Sequence, residues 1–229
     1  MTEEPSLRQL LTLQSWTSSA FPIGAFSCSH GLETAIQHEQ IHDAESCYDW
    51  IHAIVTQGSG WNDSIIMAHA HRLGLTPHCL DEMYRLNDLA LALQSGAERY
   101  AETTQLAAAF LLSAAAWQAP EAQCSPDADR DMALPVVCGW LGALHGMPAR
   151  LLIASTLQAM ASNLAWIATR LVPLGQTNCL QLIARLEPII EQVSLQASQA
   201  SLDELGSCTL LADLASLHHE QLAGRVCLT

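Results

Sequence analysis

The sequence predicts an all-α protein, a single globular domain of about nine or ten helices, on three observations. Apolar residues recur at steps of three and four in Leu157, Met160, Leu164, Ile167 and Leu171, in Leu182, Leu186, Ile189 and Val193, and in Leu210, Leu214 and Leu217. Alanine-rich stretches such as 97–117 combine high helix propensity with side chains small enough for close helix approach. No stretch alternates with period two, and Val, Ile and Thr never cluster as a sheet requires.

The elements follow from their punctuation. A first helix over 7–18 is closed by Phe21-Pro22-Ile23-Gly24, where proline lacks an N–H and glycine takes turn conformations. A second starts near the Ser27 and Ser29 hydroxyls, which are good caps. Asp43 caps a third that runs to about residue 57, ahead of Gly58-Ser59-Gly60. Further helices are read over 63–73, 77–94, 97–117, 134–144, 149–170, 177–199 and 207–222. Between the two halves, 119–131 holds Pro120, Pro126 and four acidic residues with little to pack, and reads as a solvated loop within one domain spanning 1–229.

Composition narrows the function. The nine cations are all arginine, with no lysine, against 23 acids, for a net charge of −14. A lysine-dependent phosphate loop and Schiff-base chemistry are therefore excluded. The acidic balance also argues against nucleic acid or an anionic membrane as partner. With 50% apolar and only 14% charged residues, the chain buries a large core and leaves a weakly charged exterior, as expected of a protein that works in an assembly. Eight cysteines without a C-x-x-C pair suggest buried thiols in a reducing compartment. Thr2-Glu3-Glu4-Pro5 is unlike a secretory start, and the apolar stretches 106–117 and 134–144 fall short of the roughly 20 residues that span a bilayer. A cytoplasmic protein is expected.

Candidate chemistry is sparse. His69-Ala70-His71 places two imidazoles on nearly opposite sides of a helix, and Ile41-His42-Asp43 reads as a helix boundary rather than a chelating pair with His38. His218-His219-Glu220 offers ligand types suited to nickel or zinc, but is read as a polar stretch near the end of the last helix. No metal site is assigned; His218 and His219 are the nearest candidates. Cys28 with His30 is too local to define a nucleophile and its base, and no catalytic motif occurs, so no catalytic residue is assigned. A glycine at Gly31, costing about 1 kcal/mol in a helix, points to close backbone packing.

Four ordered blocks resemble the UreF-type urease accessory proteins. They are Phe21-Pro22-Ile23-Gly24-Ala25-Phe26-Ser27-Cys28-Ser29-His30-Gly31-Leu32-Glu33; Asn87-Asp88-Leu89 with Glu98-Arg99; Ser162-Asn163 with Arg170-Leu171-Val172-Pro173-Leu174-Gly175-Gln176-Thr177; and His219-Glu220 with Arg225. Departures are Phe21 where the family has Leu, Cys28 at a position often aromatic, and Val226-Cys227 in place of Leu-Phe. The resemblance implies a non-catalytic, all-α assembly chaperone for nickel insertion that binds UreD (also called UreH), recruits the GTPase UreG and apo-urease, and sits as a dimer in the complex. It implies no resident cofactor, nickel being handled by the assembly. The residues it marks are Ser27, Ser29, Gly31, Glu33, Arg99, Arg170, Gln176, His219, Glu220 and Arg225. Arg99, Arg170 and Arg225 are expected to hold helices or partners through bidentate pairs. Segment 206–229 is expected to be mobile, tethered by 196–204, with Leu210, Leu214 and Leu217 awaiting a partner groove. A stand-alone nickel or zinc carrier is the alternative.

Overall fold

The computed structural model describes residues 4–117, 127 and 130–229. Among these residues it is all-α: ten helices, two 3₁₀ turns and no strand. The helices are α1 Leu7–Trp16, α2 Leu32–Gln37, α3 Ala44–Gln57, α4 Ser59–Gly74, α5 Leu80–Ala92, α6 Ala97–Ala114, α7 Leu134–Leu144, α8 Ala149–Leu171, α9 Gln176–Gln199 and α10 Leu210–His219. The 3₁₀ turns are Ala25–Ser27 and Leu202–Glu204.

Local chemistry sets the ends. Asp43 Oδ1 accepts the Ser46 N–H at 2.8 Å, capping α3 as the sequence predicts. Gln9 closes a capping box with Ser6, and its amide also donates to the Gly146 carbonyl at 2.6 Å, which ties α1 to the end of α7. The predicted second helix is corrected. A 3₁₀ turn precedes it and α2 begins only after Gly31, while the Ser29 hydroxyl accepts the Glu33 N–H in the first turn at 3.4 Å and also donates to the Thr229 carbonyl at 2.5 Å. Helix α6 stops at Ala114, three residues before the predicted end.

Helix α4 is the centre, packed by α7, α3, α9, α8 and α5. It starts at Ser59, so Gly60 lies inside a helix and not in the predicted break. A Cβ on Gly60 would sit 2.9 Å from Met160 Cε and 3.0 Å from the Ile54 carbonyl. That glycine is therefore a close-packing residue. The tightest approach is between α4 and α7, where a Cβ on Gly139 would lie 2.3 Å from the Met67 carbonyl oxygen and 2.8 Å from Ala70 Cβ.

Helix α8 corrects a second expectation. Its 23 residues, with a mean hydropathy of 1.4 in the best window, are long and apolar enough to cross a membrane, unlike the stretches singled out from sequence. Its Leu152, Ile153, Leu157, Leu164 and Ile167 are instead buried against α9, α4 and α3, which makes it a core helix. The predicted loop 119–131 falls almost wholly outside the described residues. At its far side the fully buried Asn87 donates to the Asp131 carbonyl at 2.9 Å and accepts the Ala133 N–H at 2.7 Å, fixing the entry to α7.

Gly139→Ala is expected to lower the unfolding free energy by about 2–3 kcal/mol through overpacking. Gly206→Ala, whose Cβ would meet nothing within 4 Å, is expected to stay within about 0.5 kcal/mol of the parent. Urea unfolding of the two variants measures the contrast; equal losses would contradict the α4–α7 packing.

Candidate docking site formed by the C-terminal segment

Gly31 opens the site. Its φ of 76° is a left-handed conformation, and a Cβ there would lie 2.8 Å from both the Ala212 carbonyl oxygen and the Ser216 nitrogen. Only glycine lets the α10 backbone rest directly on the start of α2. The inner face of α10 presents Ala215, Ser216 and His219, all buried, while Leu210, Leu211, Leu214 and Leu217 face outward at 69%, 63%, 41% and 42% exposure.

The segment after α10 is held by carboxylates. Glu33, at the first turn of α2, accepts the N–H of Val226 through Oε1 and of Cys227 through Oε2, each at 2.8 Å. The fully buried His219 ring lies between two carboxylates, with Nε2 3.3 Å from Glu33 Oε2 and Nδ1 2.7 Å from Glu98 Oε2 on α6. A ring protonated on both nitrogens donates to both. Arg225 pairs with the other oxygen of Glu98. One turn along α6, Glu102 accepts the Thr229 hydroxyl at 2.5 Å, ion-pairs with the buried Arg99 and faces His30 Nε2 at 3.2 Å. Ser27 and Ser29 finish the seam: the Ser27 carbonyl accepts the Leu228 N–H at 2.7 Å, and the Thr229 carbonyl accepts the Ser29 N–H at 2.8 Å.

Burial pushes the Glu33 carboxyl upward, but the two backbone N–H groups and His219 more than offset it and leave it below the usual carboxylate range. Burial acts the same way on Glu102, and Arg99 and His30 reverse it, holding that carboxyl far below its ordinary value. Burial, then Glu102, push the Cys28 thiol up to about 12. Such a thiol is not a nucleophile.

Of the sequence-predicted residues, Ser27, Ser29, Gly31, Glu33, Arg99, His219 and Arg225 come together in this seam. Arg170 braces its edge, donating to the Phe26 carbonyl at 3.2 Å. Gln176 and Glu220 are exposed and make no hydrogen bond to it. Within the chain Arg99 pairs with Glu102, Arg225 with Glu98 and Arg170 with the Phe26 carbonyl, each at a single oxygen. Arg185, outside every block, makes a bidentate pair with Glu45 at 2.7 and 2.9 Å and lies over the Tyr48 ring at 4.0 Å. The His218–His219 metal candidate is also corrected. His218 is exposed, His219 is buried with both nitrogens on carboxylates, and no group of three or more His, Cys, Asp or Glu among the described residues is placed to hold a metal. His69 and His71 are each used on separate carbonyls, of Ala200 and Met147. Segment 206–229 meets the body through Gly206 on Asn62, Cys208 on Gln57, His219 on Glu33 and Glu98, and residues 225–229 in the seam.

Sequence reasoning misses Glu102 and Thr229. The available signal is the i, i+4 spacing of Glu98 and Glu102, which puts two carboxylates on one face of α6 beside Arg99. The atypical Val226-Cys227 pair is accommodated because Glu33 is met by backbone N–H groups, which any residue but proline supplies.

These features define a protein, all-helical over its described residues, whose last helix is latched by polar contacts and turns its leucines to solvent. Its sequence matches the UreF family pattern over residues 41–187. It is 39% identical over 223 residues to the urease accessory protein UreF of Bradyrhizobium sp. (strain BTAi1), covering 96% of this chain and 91% of that one. To the UreF of Rhodopseudomonas palustris (strain BisB5) it is 41% identical, covering 92% and 87%. To that of Mesorhizobium japonicum it is 37% identical over 99% of each chain. The chain belongs to the UreF family of urease accessory proteins.

His219→Ala leaves Glu33 and Glu98 facing each other and is expected to weaken seating of the segment by about 3 kcal/mol. Hydrogen-exchange protection should fall at 212–229 while α4 and α7 keep theirs; unchanged protection would refute the latch. The pH dependence has a definite sign. Glu33 titrates below the usual 4.5 when the segment is seated, so its contribution is complete above that value and is lost as pH falls beneath it. Protection factors at 219–229 that stay constant down to pH 3 would contradict it.

Proposed function

We propose that the chain is a non-catalytic assembly chaperone of urease maturation, acting in the cytoplasm as a bridge between UreD (UreH), the GTPase UreG and apo-urease. The observation behind this reading is the construction of α10. Its inner face holds the buried His219 on two carboxylates, whereas its Leu210, Leu211, Leu214 and Leu217 stay exposed at 69%, 63%, 41% and 42%. Four leucines on one short helix form an apolar face of the kind that fits the groove of a partner protein. Phe26, Val226 and Leu228, at 61%, 60% and 64% exposure, extend the apolar surface along the same junction.

Nickel in this reading is cargo of the assembled complex and not a resident cofactor. The GTPase brings the nucleotide site, which agrees with a chain that lacks lysine. The net charge of −14 steers partners that carry basic patches and disfavours nucleic acid and anionic membrane. A homodimer at the centre of the complex is part of the proposal. No observation favours a stand-alone metal carrier.

Co-expression of urease and its accessory proteins with and without this chain tests the function through nickel content and urease activity. Equal activation in both would sink it. Leu214→Asp combined with Leu217→Asp should reduce capture of UreD at least tenfold with helical content unchanged. This variant is cleaner than truncation after Leu205, which also strips Glu33 and Glu98 of His219 and of the contacts at 225–227. Undiminished capture would show that the leucine face is not the docking surface.

A further inference from the structure

A half-open cleft separates the C-terminal segment from the body, with about 40 Å³ of free space, room for one or two groups the size of water. Asp63 lines it from α4 and Asp213 from α10, both half-buried, and neither is ion-paired among the described residues. The Asp63 carboxylate has no hydrogen bond there either, and the Asp213 carboxylate has only the Ser207 hydroxyl, at 3.2 Å. Ser216 lies one turn beyond Asp213 on the same side of α10 and lines the cleft. It is 5% exposed, and its Oγ has no hydrogen-bond partner. A buried hydroxyl in that state is unfavourable until an incoming group supplies the missing bond.

Charge and size decide what can enter. Arg99 and His30, the cation-capable groups of the wall, both face Glu102, so the two aspartates have no cation of their own. Leu93 and Ala212 add an apolar strip to the wall. Two carboxylates, a free hydroxyl and space for a water-sized head suit an ammonium carried on a methylene stem, which is a lysine side chain. The planar guanidinium of arginine is bulkier than that space. Position ties the cleft to the docking face. Asp213 stands within the exposed stripe of Leu210, Leu214 and Leu217, at steps of three and four along α10. Leu217 rests over Gly96, where a Cβ would lie 2.8 Å from Leu217 Cδ2, and the neighbouring Ser95 lines the cleft. A protein seated on the leucines therefore reaches the mouth of the cleft.

We propose, resting on the reading of α10 as a docking face, that the cleft takes a lysine side chain of the protein seated there. Its ammonium lies between Asp63 and Asp213 and donates to Ser216 Oγ. The chain contains no lysine, so a second copy of it cannot be the occupant. Leucines alone accept any apolar groove, whereas a pair of carboxylates left without a cation rewards a basic partner and disfavours an acidic one. The cleft thus gives the leucine face its choice of partner, and directs this face to a different protein and not to self-association.

UreD is the probe. Carbodiimide treatment of its complex with the full chain joins a carboxylate to a lysine amine in contact with it, and this chain has no lysine to give. Mass spectrometry should find Asp213 or Asp63 joined to a lysine of UreD. Asp213→Asn and Asp63→Asn should each weaken capture of UreD roughly tenfold at about 50 mM salt, with helical content unchanged, and the gap from the parent should narrow at about 500 mM. The cross-link is read on the unsubstituted protein, so a variant that fails to fold does not decide the matter. Leu214→Asp combined with Leu217→Asp separates this inference from the reading beneath it. Capture lost in that variant, but parent-like in both aspartate variants or without either cross-link in the parent complex, would overturn the lysine inference and leave the docking face standing. Capture undiminished in the leucine variant would overturn the docking face and the inference with it.

Discussion

Glu33 is a carboxylate removed from water in a fold that supplies it no cation from its own neighbourhood. Its donors are the N–H groups of Val226 and Cys227 and the ring of His219, about 190 residues further along the chain, given sequence separations of 186, 193 and 194. A buried carboxylate without donors costs several kcal/mol, so α2 and the C-terminal segment are mutually conditional. The rest follows from that dependence. Gly31 must lack a side chain so that α10 can lie close enough to bring His219 within reach. Glu98 must then meet the second ring nitrogen, which sets the position of α6 against α10.

The latch is polar where most helix packing is apolar, and that changes how it behaves. Hydrophobic burial is non-directional and tolerates sliding. A clamp made of one ring between two carboxylates, two N–H groups on one carboxylate and a serine–threonine pair fixes a single register. It also leaves the leucines of α10 free, because they are not needed to hold the helix down. Each leucine buried by a partner would add about 1.5–3 kcal/mol, so a face of four is energetically adequate for stable docking.

The general architecture was legible in the sequence because it is written locally. The three- and four-residue recurrence of Leu157 through Leu171 and of Leu182 through Val193, and the Asp43 cap, depend only on neighbours a turn away, and α8, α9 and α3 form as predicted. Gly60 was misread because a glycine that breaks a helix and one that admits a neighbouring helix look identical in sequence; only Met160 and the Ile54 carbonyl distinguish them. The site was half legible. Its residues could be marked through resemblance, but their roles lie in contacts across more than 120 positions, such as Glu98 with His219 and Glu102 with Thr229. No periodicity encodes those. The same distance hid the second contact of Ser29, whose hydroxyl accepts the Glu33 N–H at the start of α2 and also donates to Thr229.

Scarcity of cations explains the form of the seam. With nine arginines for 23 acids, ion pairing can satisfy only a minority of carboxylates, and most must remain in water. The few that are buried need donors of another kind. Arg99 and Arg225 serve Glu102 and Glu98, and the remaining demand is met by backbone N–H groups, a histidine ring and a threonine hydroxyl. Backbone donors are available only where a chain segment has no helical or sheet partner of its own, which is the condition of residues 226–229 after α10 ends. A segment without helix or strand is thus a ready source of donors for a lysine-free acidic chain. Its use couples burial of Glu33 and Glu102 to the same segment that presents the leucine face, so one set of contacts governs both the closing of the domain and the display of its docking surface.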